Sequence, residues 1–187
     1  MLNDKQFIEN IRQSVIDTID EWNSISLFQF EQLFRKKFKA YFVDRHTQEK
    51  TKVVSPILDS IFLEKMVQKT SLFKVNEVIG SDYIYKDVPI ECKITFGKSG
   101  WTGNGYKKTP FHLLMKFDID VDGKISLCYV GMLNMEVCES SWSVPTKFVN
   151  FSNLKLWNED VNRIVNIIGG VSKKQKYLKV EMENLYE

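Results

Sequence analysis

The stretch Pro89-Ile90-Glu91-Cys92-Lys93-Ile94-Thr95-Phe96 constrains this chain more than any other. Read as a β-strand, it sends Ile90, Cys92 and Ile94 to one face and Glu91 and Lys93 to the other. An apolar face is what a core strand requires. A carboxylate beside an ammonium on the opposite face is not, because unpaired charge is costly to bury. Those two charges call for a ligand, a chemical task, or simply each other as an ion pair. Just upstream, Gly80-Ser81-Asp82 places another carboxylate at a turn that leads into Tyr83-Ile84-Tyr85.

A Glu-x-Lys or Asp-x-Lys spacing alone arises by chance about once per hundred residues. The chain has a second one, Asp122-Gly123-Lys124, but Asp-Gly between alternating apolar runs is a hairpin turn with a solvated lysine. Glu91-x-Lys93 differs in lying on a strand, with apolar neighbours at alternate positions and an upstream Asp after a glycine turn. This arrangement resembles the PD-(D/E)xK nuclease superfamily and, within it, the type II restriction endonucleases. The likeness runs from Gly80 to Phe96, and the remainder is compatible in layout only. Its departure is Ser81, where the family usually carries proline before the Asp.

The resemblance implies an α/β (α+β) fold, with a restriction-endonuclease-like mixed central β-sheet flanked by helices and an N-terminal helical portion. It implies magnesium-dependent hydrolysis of double-stranded DNA at a specific sequence, by a homodimer paired with a cognate DNA methyltransferase. Asp82, Glu91 and Lys93 would be the catalytic set. Asp82 and Glu91 offer the hard oxygen ligands that magnesium prefers, and the backbone carbonyl of Cys92 would be a further ligand. Lys93, beside Glu91, would orient the attacking water and add positive charge. A helix ahead of the catalytic strands often contributes an acid in this superfamily. Glu64 is the candidate, although a lone helical Glu is more often solvent-exposed. Three other readings stand beside this one: a repair, recombination or phage-type endonuclease of the same superfamily, a non-catalytic DNA-binding protein whose Glu91 and Lys93 form only an ion pair, and a structural or interaction protein.

Composition narrows the field. The 187 residues suit one domain over 1–187, with 1–70 mainly helical and 71–187 holding the sheet. Thirteen Phe, seven Tyr and four Trp supply a real core. No apolar run reaches membrane-spanning length and the N-terminus lacks a signal-peptide pattern, so a cytoplasmic protein without membrane association is expected. Cys92, Cys128 and Cys138 lack CxxC spacing and read as reduced, buried thiols. His46 and His112 lie far apart in sequence, and a zinc site is not expected. The net charge of +2 hides an asymmetry: residues 1–33 hold six acids and two bases, whereas residues 92–117 hold five lysines and no acid. A basic run straight after Glu91-x-Lys93 suits a phosphate-backbone partner.

Along the chain, Phe7, Ile11, Val15, Ile19 and Trp22 predict a helix over 4–22. A break near Asn23-Ser24 leads to a second helix over 26–40, with Phe30, Leu33, Phe34 and Phe38 inward and a basic outer face. Residues 43–52 read as a polar loop. Ser55-Pro56 reads as the N-cap and first turn of a third helix ending near Lys69, with Ile57, Ile61, Leu63, Met66 and Val67 apolar. From Leu72 the period becomes two, and strands over 72–79, 83–86 and 88–96 form an antiparallel meander with Asp87 in a turn. Residues 111–121 and 124–135 form a hairpin through Asp122-Gly123. Residues 140–152 are irregular, either packing around Trp142 or a second recognition loop. Residues 157–168 read as a helix ended by Gly169-Gly170, and 176–182 as a final edge strand.

The segment from Gly97 to Pro110 is the most unusual, with four of the nine glycines, three lysines, Trp101 and Tyr106. Gly97-Lys98-Ser99 mimics the end of a P-loop, but its first glycine would have to stand at Cys92, which excludes that motif. Lys98, Trp101, Asn104, Tyr106, Lys107 and Lys108 are the candidate DNA-contacting residues. Lysines and amides take phosphate or base-edge contacts, and glycines let backbone approach DNA. A surface loop without a ligand is the alternative.

Overall fold

In α1 (Lys5–Ser24) the spacing of Phe7, Ile11, Val15 and Trp22 builds one buried stripe, widened by Ser14 and Thr18. Asp4 caps it, its Oδ1 accepting the Phe7 amide at 3.1 Å. The computed structural model of the chain describes residues 3–25, 29, 47–77, 81–96, 102–104, 111–120, 122–134, 148–150, 164–168, 170–171 and 180–181. The expected second helix over 26–40 lies outside these apart from residue 29, which is helical.

The next helix, α2, runs Thr47–Lys69. This corrects two expectations: residues 47–52 are helix rather than loop, and Ser55-Pro56 is not the helix start. Gln48, Glu49, Lys50 and Lys52 are good helix formers, and polarity alone does not make a loop. Pro56 sits inside the helix. It and Lys52 are both exposed, so the Lys52 carbonyl that loses its donor to the proline faces water. The buried stripe is Val54, Leu58, Ile61, Phe62 and Met66, whereas Val67, expected inside, is 48% exposed. Helices α1 and α2 run antiparallel, tied by Lys69–Asp17 at 2.6 Å and Lys65–Glu21 at 2.5 Å. Such solvent-screened pairs contribute little to stability. Among the described residues no helix is long and apolar enough to cross a membrane.

The sheet strands are β1 (Phe73–Val75), β2 (Tyr83–Tyr85), β3 (Val88–Phe96), β5 (Phe111–Ile119), β6 (Ile125–Asn134) and β8 (Ile164–Ile168). They lie in the order β1-β2-β3-β5-β6-β8. Among the described strands only β3 and β5 pair in parallel, so the sheet is mixed. With α1 and α2 ahead of the described strands, the chain is of the α+β class. β4 (Thr102–Asn104) pairs with β7 (Phe148–Asn150), and β9 (Gly170–Val171) with β10 (Val180–Glu181), as two small separate sheets.

The meander β1-β2-β3 forms as its alternation predicts. Lys86 and Asp87 turn the chain between β2 and β3 with φ of 48° and 63°, the left-handed pair that a two-residue hairpin needs. The β5-β6 hairpin closes at Asp122-Gly123, where Gly123 has φ 79° and the Asp120 carboxylate accepts the amides of Asp122 and Lys124. Trp22 Nε1 donates to the Gly123 carbonyl at 2.8 Å, and Asn23 bonds both backbone groups of Ile125. The C-terminus of α1 is thereby docked on this turn.

Residues 164–168 correct the helix expected over 157–168, and residues 157–163 lie outside the described residues. A run with Ile164, Val165, Ile167 and Ile168 is β-branched, and the free edge of β6 offers it a ladder. Gly170, expected to help end that helix, belongs to β9. Of the expected edge strand over 176–182, Val180 and Glu181 are described, in β10.

α1 and α2 cover one face of the sheet, α2 over β1 and β3 and α1 over β6 and β8. Ile90, Cys92, Phe96, Leu113, Met115, Phe117, Val130 and Met132 join them in one core. A bulge opposite Lys116 and Phe117 lets Leu127 face this core while Tyr129 faces the other side. On that other face Leu114, Tyr129 and Leu133 are also buried. Tyr129 lies over Gly131, where a Cβ would collide with its hydroxyl.

Candidate functional site

Strand β3 is nine residues long and β2 only three, so β2 covers just the first part of β3. Asp82 stands where β2 begins. Its amide donates to the Ile90 carbonyl at 3.1 Å, and its carbonyl accepts the Asn76 amide at 3.0 Å. Its Oδ2 accepts the Cys92 amide at 2.7 Å. The Asp82 carboxylate thus completes the ladder on β3 just where β2 gives out. Backbone N–H and C=O of one strand residue point the same way, so the Cys92 carbonyl faces the same edge as its amide.

The alternation read from the sequence holds in β3. Ile90 and Cys92 join the helix-covered core, and Glu91 and Lys93 occupy the other face. Their side chains are in direct contact as an ion pair, 19% and 22% exposed respectively. Across the parallel ladder Glu91 faces His112. Burial, and secondarily the Lys93 charge, hold the His112 imidazole down at about 4, so it is uncharged at neutral pH.

Glu64 does not join this group. It is exposed on α2 and accepts a hydrogen bond from Gln68 at 3.1 Å. The acid that α2 sends to the sheet is Asp59. The Tyr83 hydroxyl donates to Asp59 Oδ1, and the Asp59 carboxylate also bonds the Cys92 side chain. Burial pushes the Asp59 carboxyl up, against the Tyr83 hydrogen bond that lowers it, and the charge of Asp82 adds to the rise. Burial and the neighbouring acids push the Cys92 thiol well up and the Tyr83 hydroxyl up as well. A thiol so placed is not a nucleophile. Sequence reasoning passed over Asp59, yet helical spacing carries the signal. Phe62 and Met66 stand three and seven residues on, so Asp59 is an acid set in an apolar stripe. Glu64 shares its side of the helix with the exposed Ser60, Val67 and Gln68.

Of the loop residues, Asn104 is the last residue of β4, and Lys98, Trp101, Tyr106, Lys107 and Lys108 lie outside the described residues. Residues 148–150 of the irregular segment form β7, paired with β4.

Among the described residues no three or more His, Cys, Asp or Glu side chains gather as a metal cage. Magnesium does not require one, since it binds through one or two carboxylates and keeps waters and phosphate oxygens. Asp82 and Glu91, both partly buried, and the Cys92 carbonyl are hard oxygen donors of the kind magnesium takes. The chain matches no known family model, and no curated protein is similar to it in sequence.

Proposed function

We propose that this chain is a magnesium-dependent endonuclease of the type II restriction class, hydrolysing phosphodiester bonds of double-stranded DNA at a specific sequence. The observation that carries the reading is the Asp82 carboxylate held on the Cys92 amide, between the two residues of Glu91-x-Lys93. The resemblance of Gly80 to Phe96 to the PD-(D/E)xK superfamily supports it, as does a mixed sheet in which β3 has paired neighbours on both sides. The proposal extends to a restriction-endonuclease-like fold, a cytoplasmic location, a homodimer on DNA and a cognate methyltransferase in the same system.

In this reading Asp82, Glu91 and the Cys92 carbonyl would hold the metal. Bound there, magnesium would supply Lewis-acid activation of water and a positive charge against the phosphate. Lys93 orients the attacking water and sets a positive charge beside the phosphate. Ser81 takes the place of the usual proline, and its hydroxyl, bonded by the Asn76 side chain, fastens the bend before β2 instead.

Unmethylated plasmid-length DNA incubated with the protein and magnesium is expected to yield discrete fragments. Asp82→Ala, Glu91→Ala or Lys93→Ala should abolish cleavage while folding and calcium-supported DNA binding persist. Turnover at the wild-type rate in Lys93→Ala would sink the assignment. The direct Glu91–Lys93 contact favours a second reading, a non-catalytic DNA-binding protein in which the pair is structural. Binding that needs no divalent metal, with no cleavage under any condition, is its signature.

A further inference from the structure

Four residues form a closed circuit around the start of β2. Asp82 is bonded through its carboxylate to the Cys92 amide. Cys92 is bonded through its side chain to Asp59. Asp59 accepts the Tyr83 hydroxyl. Tyr83 is joined to Asp82 by a peptide bond. One member comes from α2, two from the β2 edge and one from β3. Three of the four sit in the helix-side interior: Tyr83 is 2% exposed, Cys92 8%, and Asp59 is partly buried. Phe62 and Phe73 pack on the Tyr83 ring, with centroids 6.2 and 4.9 Å away, so the phenol has little room to turn.

We infer that Asp59 is a positioning residue: by gripping Tyr83 and Cys92 together it holds the Asp82 carboxylate in register with β3. The inference deepens the nuclease reading and rests on it for its catalytic consequence, but the grip itself is a property of the folded chain. Burying an acid on an apolar stripe is costly unless it is bonded, and here both bonds converge on the residues that flank the Asp82–Cys92 contact. The aromatic packing fixes where the hydroxyl arrives. α2, being rigid, sets how far β2 and β3 can slide past each other at the one place where β2 no longer pairs with β3 through backbone. Asp59 in this role touches neither substrate nor reacting atoms. What it requires is hydrogen-bond acceptance and shape rather than charge at the phosphate.

The test uses the full chain with Asp59→Ala, Asp59→Asn and Tyr83→Phe. Three quantities are measured: kcat with magnesium, DNA affinity in calcium, and exchange of the Cys92 amide by NMR. Displacement of a working group by about an ångström costs about a hundredfold in rate, so Asp59→Ala should lose about that in kcat at unchanged DNA affinity. Its Cys92 amide should exchange faster. Asp59→Asn keeps an oxygen to accept from Tyr83 and should recover most of the lost rate and the amide protection. Tyr83→Phe leaves every carboxylate in place and should cost about tenfold, the worth of one hydrogen bond. It serves as the second route should Asp59→Ala fold poorly. An Asn variant as inactive as Ala would overturn the inference by showing that the charge itself is needed. Unchanged Cys92 amide exchange in Asp59→Ala and Tyr83→Phe would overturn it as well. Should the wild-type chain cleave no DNA, the nuclease reading fails, and the amide exchange still decides whether the grip exists.

Discussion

Strand β2 is fastened to the helices by two links of the same kind, a helix-borne carboxylate accepting a tyrosine hydroxyl, and they behave in opposite ways. At one end Asp4, capping α1, accepts Tyr85 at 2.9 Å and also the Lys86 ammonium at 2.9 Å. The hydrogen bond from Lys86, then those from the Phe7 amide and Tyr85, hold the Asp4 carboxyl down at about 2. At the other end Asp59, on α2, accepts Tyr83 with no cation bonded to it, and burial pushes its carboxyl up. Each pairs an acid with a phenol, yet water and a nearby lysine stabilise the charge in one and the interior opposes it in the other. The surface link is a staple, and any fold can carry one. An acid held inside against its own desolvation is rarer, and this one adjoins three residues of the candidate site.

The largest effects should come from the phenylalanines beneath the two links, and they should be equal at both ends. Phe7 stacks on Tyr85 with centroids 3.8 Å apart, and Phe62 packs edgewise on Phe73 and against Tyr83. Both are fully or almost fully buried. Phe7→Ala and Phe62→Ala should each cost about 3–5 kcal/mol in denaturant unfolding. A marked inequality would show that the ends of β2 differ in packing and not only in electrostatics.

The hydroxyls should then separate the links. Tyr83→Phe leaves the Asp59 carboxylate buried without that donor and should cost about 1–3 kcal/mol, the range for a buried group losing its partner. Tyr85→Phe leaves Asp4 with Lys86 and water and should cost about 0.5–1.5 kcal/mol. Equal losses in urea titrations of the two variants would erase the contrast between interior and surface.

The smallest effect is the most diagnostic of sign. The folded Asp4 carboxyl lies at about 2 against an ordinary 3.8. Because the folded value is depressed, the unfolded chain takes the proton first. The stabilisation is therefore complete above 3.8 and disappears as pH falls from there towards about 2. The gap in thermal midpoint between wild type and Asp4→Asn should be present at neutral pH and close over that acid window. High salt at neutral pH should narrow it too, since Lys86 is exposed. A gap that persists at pH 2 would show that the Asp4 side chain matters as an N-cap acceptor and not as a charge.

Much of the architecture was legible because its determinants are local. The stripe of α1, the alternation of β3, the turn at Asp87 and the hairpin at Asp122-Gly123 each depend on residues within a few positions of one another. The polar face of β3 was legible for the same reason, and with it the pairing of Glu91 and Lys93. The phase of α2 was partly legible. Ile61 and Met66 face the core as expected, but reading the helix from Ser55 hid Val54, Leu58 and Phe62, and with them the position of Asp59 on the buried side.

What the chain settles by itself is which residues alternate, turn and stripe, since short-range sterics and hydrophobic periodicity act before any long-range contact exists. What only the tertiary structure decided are choices between locally equivalent alternatives. Residues 164–168 could serve as helix or strand, and the open edge of β6 made them strand. β3 could have paired with β5 in either direction, and in the folded sheet the two run parallel. Asp59 or Glu64 could have faced the sheet, and the seating of the helix on β1 and β3 turned Asp59 inward and left Glu64 in water. In each case the deciding free energy is a non-local ladder or the burial of a whole face, and no window of neighbouring residues contains it.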